Sequence, residues 1–373
     1  MSRIPSLQLA DLASRWQSVA KLFKRSAFAI GLDVGSALVK GVLVSHTPEG
    51  VKLLQIATAA VSSESDPAKR VEAIQTVVRS LQSEHEARIV TAVGGSNAVL
   101  RVVLLPKMSP QELKAALSFE SEKYIPFKLE EVYLDFAIVG DRPGGRMEVL
   151  LAAARQDLVD AHLELLRSAS VTPHAVDLEA LALANAWEIA HPKTKTVVAQ
   201  GSKISKEAGP AERPEVVGLI HVGARGTILV FLQGSQLQFT RESAIGGNAF
   251  TQAIVEKLGL DPLEAEKIKC QPQTQSAQVR MILQPVWEEW LTQCRVSFDF
   301  YENQFGHQIQ RLLLSGGSAR LAGFKEWIGE ILGLPIEAWD PVGQLATEVD
   351  PQHLELHRSR LGVALGLAVR ELS

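Results

Sequence analysis

Two short stretches of the 373-residue chain share a pattern of glycines and hydrophobic residues that could bind phosphate. Residues 31–39 read Gly-Leu-Asp-Val-Gly-Ser-Ala-Leu-Val, and residues 218–230 read Gly-Leu-Ile-His-Val-Gly-Ala-Arg-Gly-Thr-Ile-Leu-Val. Each predicts a strand, a turn at Gly35 or Gly223, and a second strand. Glycine allows close approach, and exposed N–H groups in such a turn can bind an anion. One turn alone is more typical of a hairpin, but the repeat indicates two similar halves.

A third glycine-rich loop follows a hydrophobic run near the C-terminus. Residues 312–324 read Leu-Leu-Leu-Ser-Gly-Gly-Ser-Ala-Arg-Leu-Ala-Gly-Phe, which predicts a buried strand, a loop at Gly316–Gly317 and a helix from about Leu321. Such a loop suits close packing against a nucleoside, because the helix N-terminus lies nearby. The three glycine elements together predict nucleotide binding more strongly than any one of them does.

Composition limits the other classes of function. The formal net charge of −4 gives no strong field that would favour nucleic acid. Cys270 and Cys294 form neither a CxxC pair nor a zinc-binding spacing, so we expect buried, reduced thiols in a cytosolic protein. The sequence shows no apolar run of the ~18 residues that a membrane span needs, and residues 1–27 do not resemble a secretory signal. A cytoplasmic location is therefore predicted.

Residues 1–27 form a segment with a distinct, basic composition. Its apolar residues recur at roughly helical spacing, and Arg15, Lys21, Lys24 and Arg25 supply positive charge. A basic amphipathic helix can lie on an anionic membrane surface. A helix docked on the protein itself, or a frayed terminus, fits the same pattern. The apolar residues are Leu9, Leu12, Trp16, Val19, Ala20 and Phe23.

Hydrophobic periodicity predicts alternating strands and helices from Phe28 onward. Ser109, Pro110 and Glu112 form the signature of a helix start, and this helix is expected to continue to about Tyr124, before Pro126. The other predicted strands are 28–34, 36–44, 51–60, 88–93, 132–139 and 146–152, and the other predicted helices are 71–86, 157–169 and 176–190.

The glycine elements, in this order, resemble those of the actin, heat-shock chaperone and sugar-kinase superfamily. Asp33-Val34-Gly35 resembles the first phosphate motif, residues 222–227 the second, and Gly316-Gly317-Ser318 the adenosine motif. The intervening sequence is similar to the PilM family of type IV pilus proteins, above all the Tyr-Ile-Pro-Phe segment at 124–127. Further similar segments are 116–123, 132–136, 148–154, 176–182, 265–269 and 363–368.

This resemblance implies an α/β fold: an actin-like two-lobed fold with duplicated ribonuclease-H-like domains and small inserted subdomains. The predicted units are the extension 1–27, the first lobe 28–95, an inserted subdomain 96–171, a return to the first lobe at 172–192, a polar linker 193–215, and the second lobe 216–373, with a small insertion at 262–300.

The resemblance also implies that ATP and Mg²⁺ are the cofactors. Asp33 would hold a metal-bound water, and Asp177 or its neighbour Glu179 would position the attacking water. The implied phosphate contacts are Gly35, Ser36, Lys40, Gly223, Ala224, Gly226 and Thr227. Glu266 and Lys269 would contact the nucleoside, and Gly316, Gly317 and Ser318 would shape the adenine pocket. Gly246 and Gly247 either line the cleft or form an ordinary turn.

One residue departs from the superfamily pattern. The second phosphate motif normally carries Asp where this chain has His221. Imidazole is a poor ligand for Mg²⁺, although a protonated imidazole could pair with a phosphate oxygen. We therefore hypothesise that His221 permits nucleotide binding but leaves hydrolysis weak or absent. A vestigial site, in which His221 only fills the end of a buried strand, remains the alternative.

The family resemblance implies a scaffold that binds the cytoplasmic N-terminal peptide of the membrane protein PilN. Tyr124, Ile125, Pro126 and Phe127 are the candidate peptide anchors, or else part of the core of their own subdomain. The implied setting is the cytoplasmic face of the inner membrane, reached indirectly or through residues 1–27, in an oligomeric ring that could also contact the pilus motor ATPases.

Three other functions fit parts of the sequence. An FtsA-like membrane-associated filament protein shares the fold. A small-molecule kinase of the superfamily would need a carboxylate base beside its substrate, and the sequence offers no convincing candidate. A relative of the type II secretion platform is a weaker third reading.

Overall fold

The computed structural model describes residues 28–47, 50–61, 66–82, 86–191, 215–271, 277–343 and 345–370. The predicted N-terminal helix and nearly all of the predicted linker 193–215 lie outside these residues. Within them the chain forms three sheets, of six, five and three strands.

The six-stranded sheet is the centre of the first lobe. Three antiparallel strands, β1–β3, continue on one side into β4 and β8, which run parallel to β1. The strand order is β14-β3-β2-β1-β4-β8. The strands are β1 (Phe28–Val34), β2 (Leu38–Thr47), β3 (Gly50–Ala60), β4 (Arg88–Val93), β8 (Ala175–Leu178) and β14 (Ala346–Thr347).

Helices cover both faces of this sheet because its strands are hydrophobic on both sides. Helices α1 (Pro67–Leu81) and α3 (Gln156–Ser168) contribute to the apolar cluster around Ile30 and Leu32. Helices α4 (Glu179–Ala190) and α10 (Gly362–Arg370) lie against each other, and α10 also packs on β1. The short helix α9 (Pro351–His357) precedes α10.

The second lobe repeats this topology. Its strand order, β11-β10-β9-β12-β13, again has an antiparallel meander followed by parallel strands. The repeat confirms the predicted duplicated halves. Its core is aromatic, with Trp287, Trp290 and Phe324 fully buried. The elements are β9 (Val216–Val222), β10 (Thr227–Gln233), β11 (Gln236–Ser243), α5 (Gly247–Leu258), α6 (Pro262–Cys270), α7 (Ala277–Phe305), β12 (Arg311–Ser315), α8 (Phe324–Leu332) and β13 (Ile336–Ala338).

The inserted subdomain is a three-stranded sheet covered by one helix. Strands β5 (Ala98–Pro106), β6 (Val132–Arg142) and β7 (Arg146–Arg155) are antiparallel, with β7 in the middle. Helix α2 (Pro110–Glu120) buries Leu113 and Leu117 against this sheet, and the predicted capping box of Ser109 and Glu112 is present. The helix ends earlier than predicted, since 121–123 form a 3₁₀ turn.

The structure corrects four expectations. Both cysteines were expected to be buried, but Cys270 is exposed and only Cys294 is buried. The predicted helix 176–190 begins as strand β8 and becomes helical only at Glu179. Helix α3 buries Leu166 in the first-lobe core, so we place the end of the inserted subdomain at Arg155 rather than at residue 171. Residues 346–370, predicted in the second lobe, pack on the first: β14 pairs with β3, and Leu365 joins a first-lobe cluster.

Candidate functional site

A buried ion pair lies beside the turn between β1 and β2. Asp33 and Lys40 are opposite each other in register, and the Lys40 Nζ atom is 2.7 Å from the Asp33 Oδ2 atom. Their side chains are only 5% and 12% exposed, so each charge depends on the other for compensation. A Cβ on Gly35 would lie 3.2 Å from the Lys40 Nζ atom. The ammonium group therefore lies directly beside the glycine turn, where it can attract an anion.

The equivalent turn of the second lobe forms one unit with the start of α5. The Gly247 and Asn248 N–H groups donate to the carbonyls of Gly223 and Ala224, at 2.9 and 2.7 Å. A Cβ on Gly246 would lie only 2.6 Å from the Gly226 N atom and 2.7 Å from the Gly223 carbonyl oxygen. Gly246 and Gly247 therefore brace the second turn. The Gly247 and Asn248 N–H groups are already used within the protein.

Thr227 has a structural role at the end of this turn. Its side chain is buried, its hydroxyl donates to the Ile245 carbonyl at 2.8 Å, and it accepts a hydrogen bond from the Trp290 indole at 2.8 Å. A hydroxyl has a single proton to donate. Since that proton is already used, a phosphate contact by Thr227 would have to come from its backbone.

His221 is buried one residue before the end of β9. Its Nδ1 atom lies 3.0 Å from the Ser315 hydroxyl. Burial, together with the nearby Lys40 ammonium, lowers the pKa of His221 to about 3. The imidazole is therefore neutral near pH 7, which argues against the protonated form considered from the sequence. The charge of Lys40, on the first lobe, thus acts on His221 of the second lobe.

The two candidates for positioning a water differ in environment. The Asp177 Oδ2 atom lies 3.0 Å from the Arg370 Nε atom, in an ion pair that joins β8 to α10. Glu179 instead lies near Asp33 and Lys40, and burial and the Asp33 charge raise the pKa of Glu179 to about 7, against the opposing effect of Lys40. This arrangement favours Glu179 over Asp177, although the role of either residue remains a prediction.

The third glycine loop requires glycine at its first position. Gly316 has a φ of 91°, and a Cβ there would lie 2.3 Å from the Val222 carbonyl oxygen. A Cβ on Gly247 would lie 2.7 Å from the Ser318 hydroxyl and 3.4 Å from the Lys269 Nζ atom. The predicted adenosine loop thus lies against the end of β9 and the start of α5, where Lys269 of α6 also approaches Gly247.

Lys269 and Glu266 occupy different environments on α6. The Lys269 ammonium donates to the Gly247 carbonyl at 2.9 Å and to the Thr251 hydroxyl at 2.7 Å, and it lies 2.6 Å from a Glu266 carboxylate oxygen. Its side chain is buried, whereas that of Glu266 is 47% exposed. Lys269 therefore fastens α6 to α5, and Glu266 is the more accessible of the two.

The sequence reasoning missed Arg360 at this end of the cleft. Its Nε atom lies 3.9 Å from the position of a Cβ on Gly317, and it has no hydrogen-bond partner among the described residues. Burial, then Arg320, lowers the pKa of Arg360, while Cys270 and Glu266 oppose this shift. No local sequence pattern marks Arg360, because it reaches the loop only through the folding of the C-terminal segment.

The segment 124–127 is mostly internal. Ile125 is 3% exposed and packs with Val132, whereas Tyr124 and Phe127 are half-buried beside the subdomain core. Pro126 alone in this segment is exposed. The more accessible apolar side chains of the subdomain lie elsewhere: Leu104, Phe119, Ile138 and Val139.

The residues present fit Mg²⁺ only in the mode that combines one protein carboxylate with ligand phosphates. Among the described residues, no group of three or more His, Cys, Asp or Glu side chains is arranged to hold a metal ion. Mg²⁺ often takes one or two carboxylates plus substrate phosphates, and Asp33 is placed to be one of them. A separate finding concerns membranes: none of the helices among the described residues is long and apolar enough to span a bilayer.

Comparison with known proteins supports the architecture and identifies the family. Residues 31–372 match the family model for type IV pilus assembly protein PilM. A chain of the solved PilM-PilN type IV pilus biogenesis complex is similar over 94% of this chain and 100% of its own length, with a TM-score of 0.77 and 28% identity.

A more distant structure shares the fold. The ethanolamine utilization protein EutJ from Carboxydothermus hydrogenoformans matches 95% of this chain and 98% of its own, with a TM-score of 0.51 and 15% identity. Because the family model matches residues 31–372, the family assignment does not depend on the similarity to EutJ. The chain belongs to the PilM family of type IV pilus assembly proteins.

Proposed function

We propose that this protein is a cytoplasmic, nucleotide-binding scaffold of the type IV pilus inner-membrane platform, and that it binds the cytoplasmic N-terminal peptide of PilN. The observation that carries the proposal is the similarity to a chain of the PilM-PilN complex over 94% of this chain. A match over the full length of the other chain includes both lobes and the inserted subdomain.

The nucleotide part of the proposal rests on the cleft. ATP would lie between the two turns, with the Lys40 ammonium and the N–H groups of Gly35 and Ser36 contacting its phosphates. Mg²⁺ would neutralise phosphate charge, with Asp33 holding it through a water. The second turn and the loop at Gly316 would enclose the ligand from the other lobe.

The base end would be bounded by the adenosine loop and α6. Gly317 and Ser318 would approach the base, and Glu266 is accessible enough to reach the ribose. The Arg360 guanidinium, which lies beside Gly317, could cover one face of the base through a cation–π contact.

Hydrolysis would be weak. His221 is neutral and hydrogen-bonded to Ser315, so it supplies no carboxylate to the metal. Glu179, whose pKa burial raises to about 7, would remain the candidate for positioning the water, so the weak hydrolysis is attributed to His221 alone. ATP would therefore act mainly by holding the lobes together.

The partner part of the proposal assigns PilN binding to the inserted subdomain. Pro126, with the half-buried Tyr124 and Phe127, provides an apolar surface next to the subdomain core. Contacts with motor ATPases, assembly into a ring, and contact with the membrane through residues 1–27 are further parts of this proposal.

The experiment is a binding titration with a synthetic peptide of the N-terminal cytoplasmic segment of PilN. Fluorescence anisotropy would be measured with and without ATP, using a scrambled peptide as the control. Saturable binding of the native peptide alone is the expected result. No binding at about 100 μM, a weak affinity for a specific interface, would overturn the assignment of PilN as a partner.

The double variant Tyr124→Ala plus Phe127→Ala locates the surface. We expect at least about tenfold weaker binding, because aromatic anchors dominate peptide affinity. Phe119→Ala is the matched control, since this side chain is on the same subdomain and is 87% exposed. Near-UV circular dichroism checks the folding of each variant. A loss in Phe119→Ala alone would move the binding surface to α2.

A further inference from the structure

Glu242 links the two lobes outside the proposed nucleotide contacts. It lies on β11, the edge strand of the second-lobe sheet, and its carboxylate accepts a hydrogen bond from the backbone N–H of Gly95. Gly95 lies between β4 and β5, where the chain leaves the first lobe for the inserted subdomain. A second hydrogen bond joins the same two regions, since the Thr240 hydroxyl on β11 donates to the Leu100 carbonyl on β5 at 3.3 Å.

The same turn is in contact with the cleft. A Cβ on Gly94 would lie 2.7 Å from the carboxylate carbon of Glu179, so this turn packs against the Glu179 side chain. Burial, then the Glu179 charge, raises the pKa of Glu242 to about 8, although the Gly95 bond opposes this shift. Beyond Glu179 lie Asp33 and Lys40. The turn therefore has one partly buried carboxyl from each lobe beside it.

A hydrogen bond alone does not account for a carboxylate at this position. A glutamine would accept the same Gly95 bond without the cost of placing a second carboxyl near Glu179. The protonation of Glu242 depends on the charge of Glu179. Its hydrogen bond to Gly95 holds the turn where the chain enters the inserted subdomain.

We propose that Glu242 is a positioning residue that holds the second lobe to the turn at Gly94–Gly95, where the chain enters the inserted subdomain. Through this turn, a change of charge at Glu179 in the cleft would be transmitted to that subdomain. This tie between lobe and turn requires neither ATP nor a peptide to form. It therefore goes beyond the proposed function and can be tested on the full chain without any ligand.

Amide hydrogen exchange at Gly94–Leu100 tests the tie. Glu242→Ala removes the acceptor, and we expect exchange of the Gly95 amide to rise up to about tenfold, the size of effect that one hydrogen bond supports. Glu242→Gln restores an acceptor and should remain within about twofold of wild type. The control is Glu256→Ala, which removes an exposed carboxylate on α5.

Unchanged exchange in Glu242→Ala, or an equal rise in all three variants, would overturn the tie. A second readout is independent of whether Glu242→Ala folds. In Glu179→Gln, ¹³C NMR titration should show a lower pKa for Glu242 than the same titration of the wild-type protein, because one neighbouring charge is gone. An unchanged midpoint would overturn the link between Glu242 and the cleft.

Discussion

The two glycine turns are similar in backbone and opposite in chemistry. The first-lobe turn lies beside a buried charge pair, Asp33 and Lys40, whose atoms are 2.7 Å apart. The equivalent region of the second lobe holds a neutral pair, His221 and Ser315, at 3.0 Å. The first lobe thus supplies charge, and the second supplies a braced surface. A duplicated fold keeps its topology while each copy takes a different role.

The largest effect is expected from removing one partner of the buried ion pair in the first lobe. Lys40→Ala leaves the Asp33 carboxylate buried without its partner, so the free energy of unfolding should fall by about 3–5 kcal/mol. ATP affinity should also fall at least about tenfold, because the phosphate loses a cation. Chemical denaturation and calorimetry measure the two quantities.

The control for this change is Lys52→Ala. Lys52 also lies 2.7 Å from a carboxylate, that of Glu348, but both side chains are substantially exposed. An exposed pair contributes less than about 1 kcal/mol. Equal losses of stability in Lys40→Ala and Lys52→Ala would contradict the assigned importance of the buried pair.

Disturbing the packing of Gly246 against the second-lobe turn should have a smaller effect. In Gly246→Ala the new methyl group would lie 2.6–2.8 Å from backbone atoms of the second turn, so the chain must shift. We expect a loss of about 1–3 kcal/mol in the free energy of unfolding, typical of overpacking. Gly140→Ala is the control, because nothing lies within 4 Å of its Cβ position. Thermal unfolding measures both variants, and an equal free energy of unfolding for the two would refute the bracing role.

A third change makes the two sides more alike. His221→Asp gives the second lobe a carboxylate near Lys40, and Mg²⁺-dependent ATP hydrolysis should rise at least about tenfold, or about 1.4 kcal/mol in barrier height. His221→Asn, which carries no charge, should leave hydrolysis unchanged. If a phosphate-release assay gives the same rate for all three proteins, His221 is not what limits hydrolysis.

The smallest effect concerns the carboxyls between the lobes. Burial raises the pKa of Glu242 to about 8, so its protonated form is favoured in the folded state. Its contribution to stability is complete below the ordinary glutamate pKa and is lost as pH rises through about 8. Glu242→Gln should therefore flatten the decline in stability between pH 5 and 8. An identical pH profile for both proteins, from denaturant titrations, would contradict this assignment.

Local features of the site could be predicted from the sequence, but contacts between distant segments could not. Gly35, Gly223 and Gly316 are visible because each turn is flanked by strand patterns, and the capping box at Ser109 is a local signal. Strand β8 was missed because it has only four residues and continues into an alanine-rich helix.

Glu242, Arg360 and the Asp177–Arg370 pair depend on folding over long sequence distances. Arg370 reaches Asp177 only because α10 returns to the first lobe. Gly366 makes that return possible, since a Cβ there would lie 1.6 Å from the Ala182 carbonyl oxygen. In sequence, this glycine lies in an apolar helix with no sign of its packing partner.

We propose that one nucleotide binds between the two turns. The most direct test is calorimetric titration of the wild-type protein with ATP, with Mg²⁺ and then with EDTA. We expect saturable binding of one ATP per chain, weaker without Mg²⁺ because Asp33 would then lack its metal partner. No measurable heat at millimolar ATP would contradict it, and the cleft would be a remnant in a protein that works through its inserted subdomain.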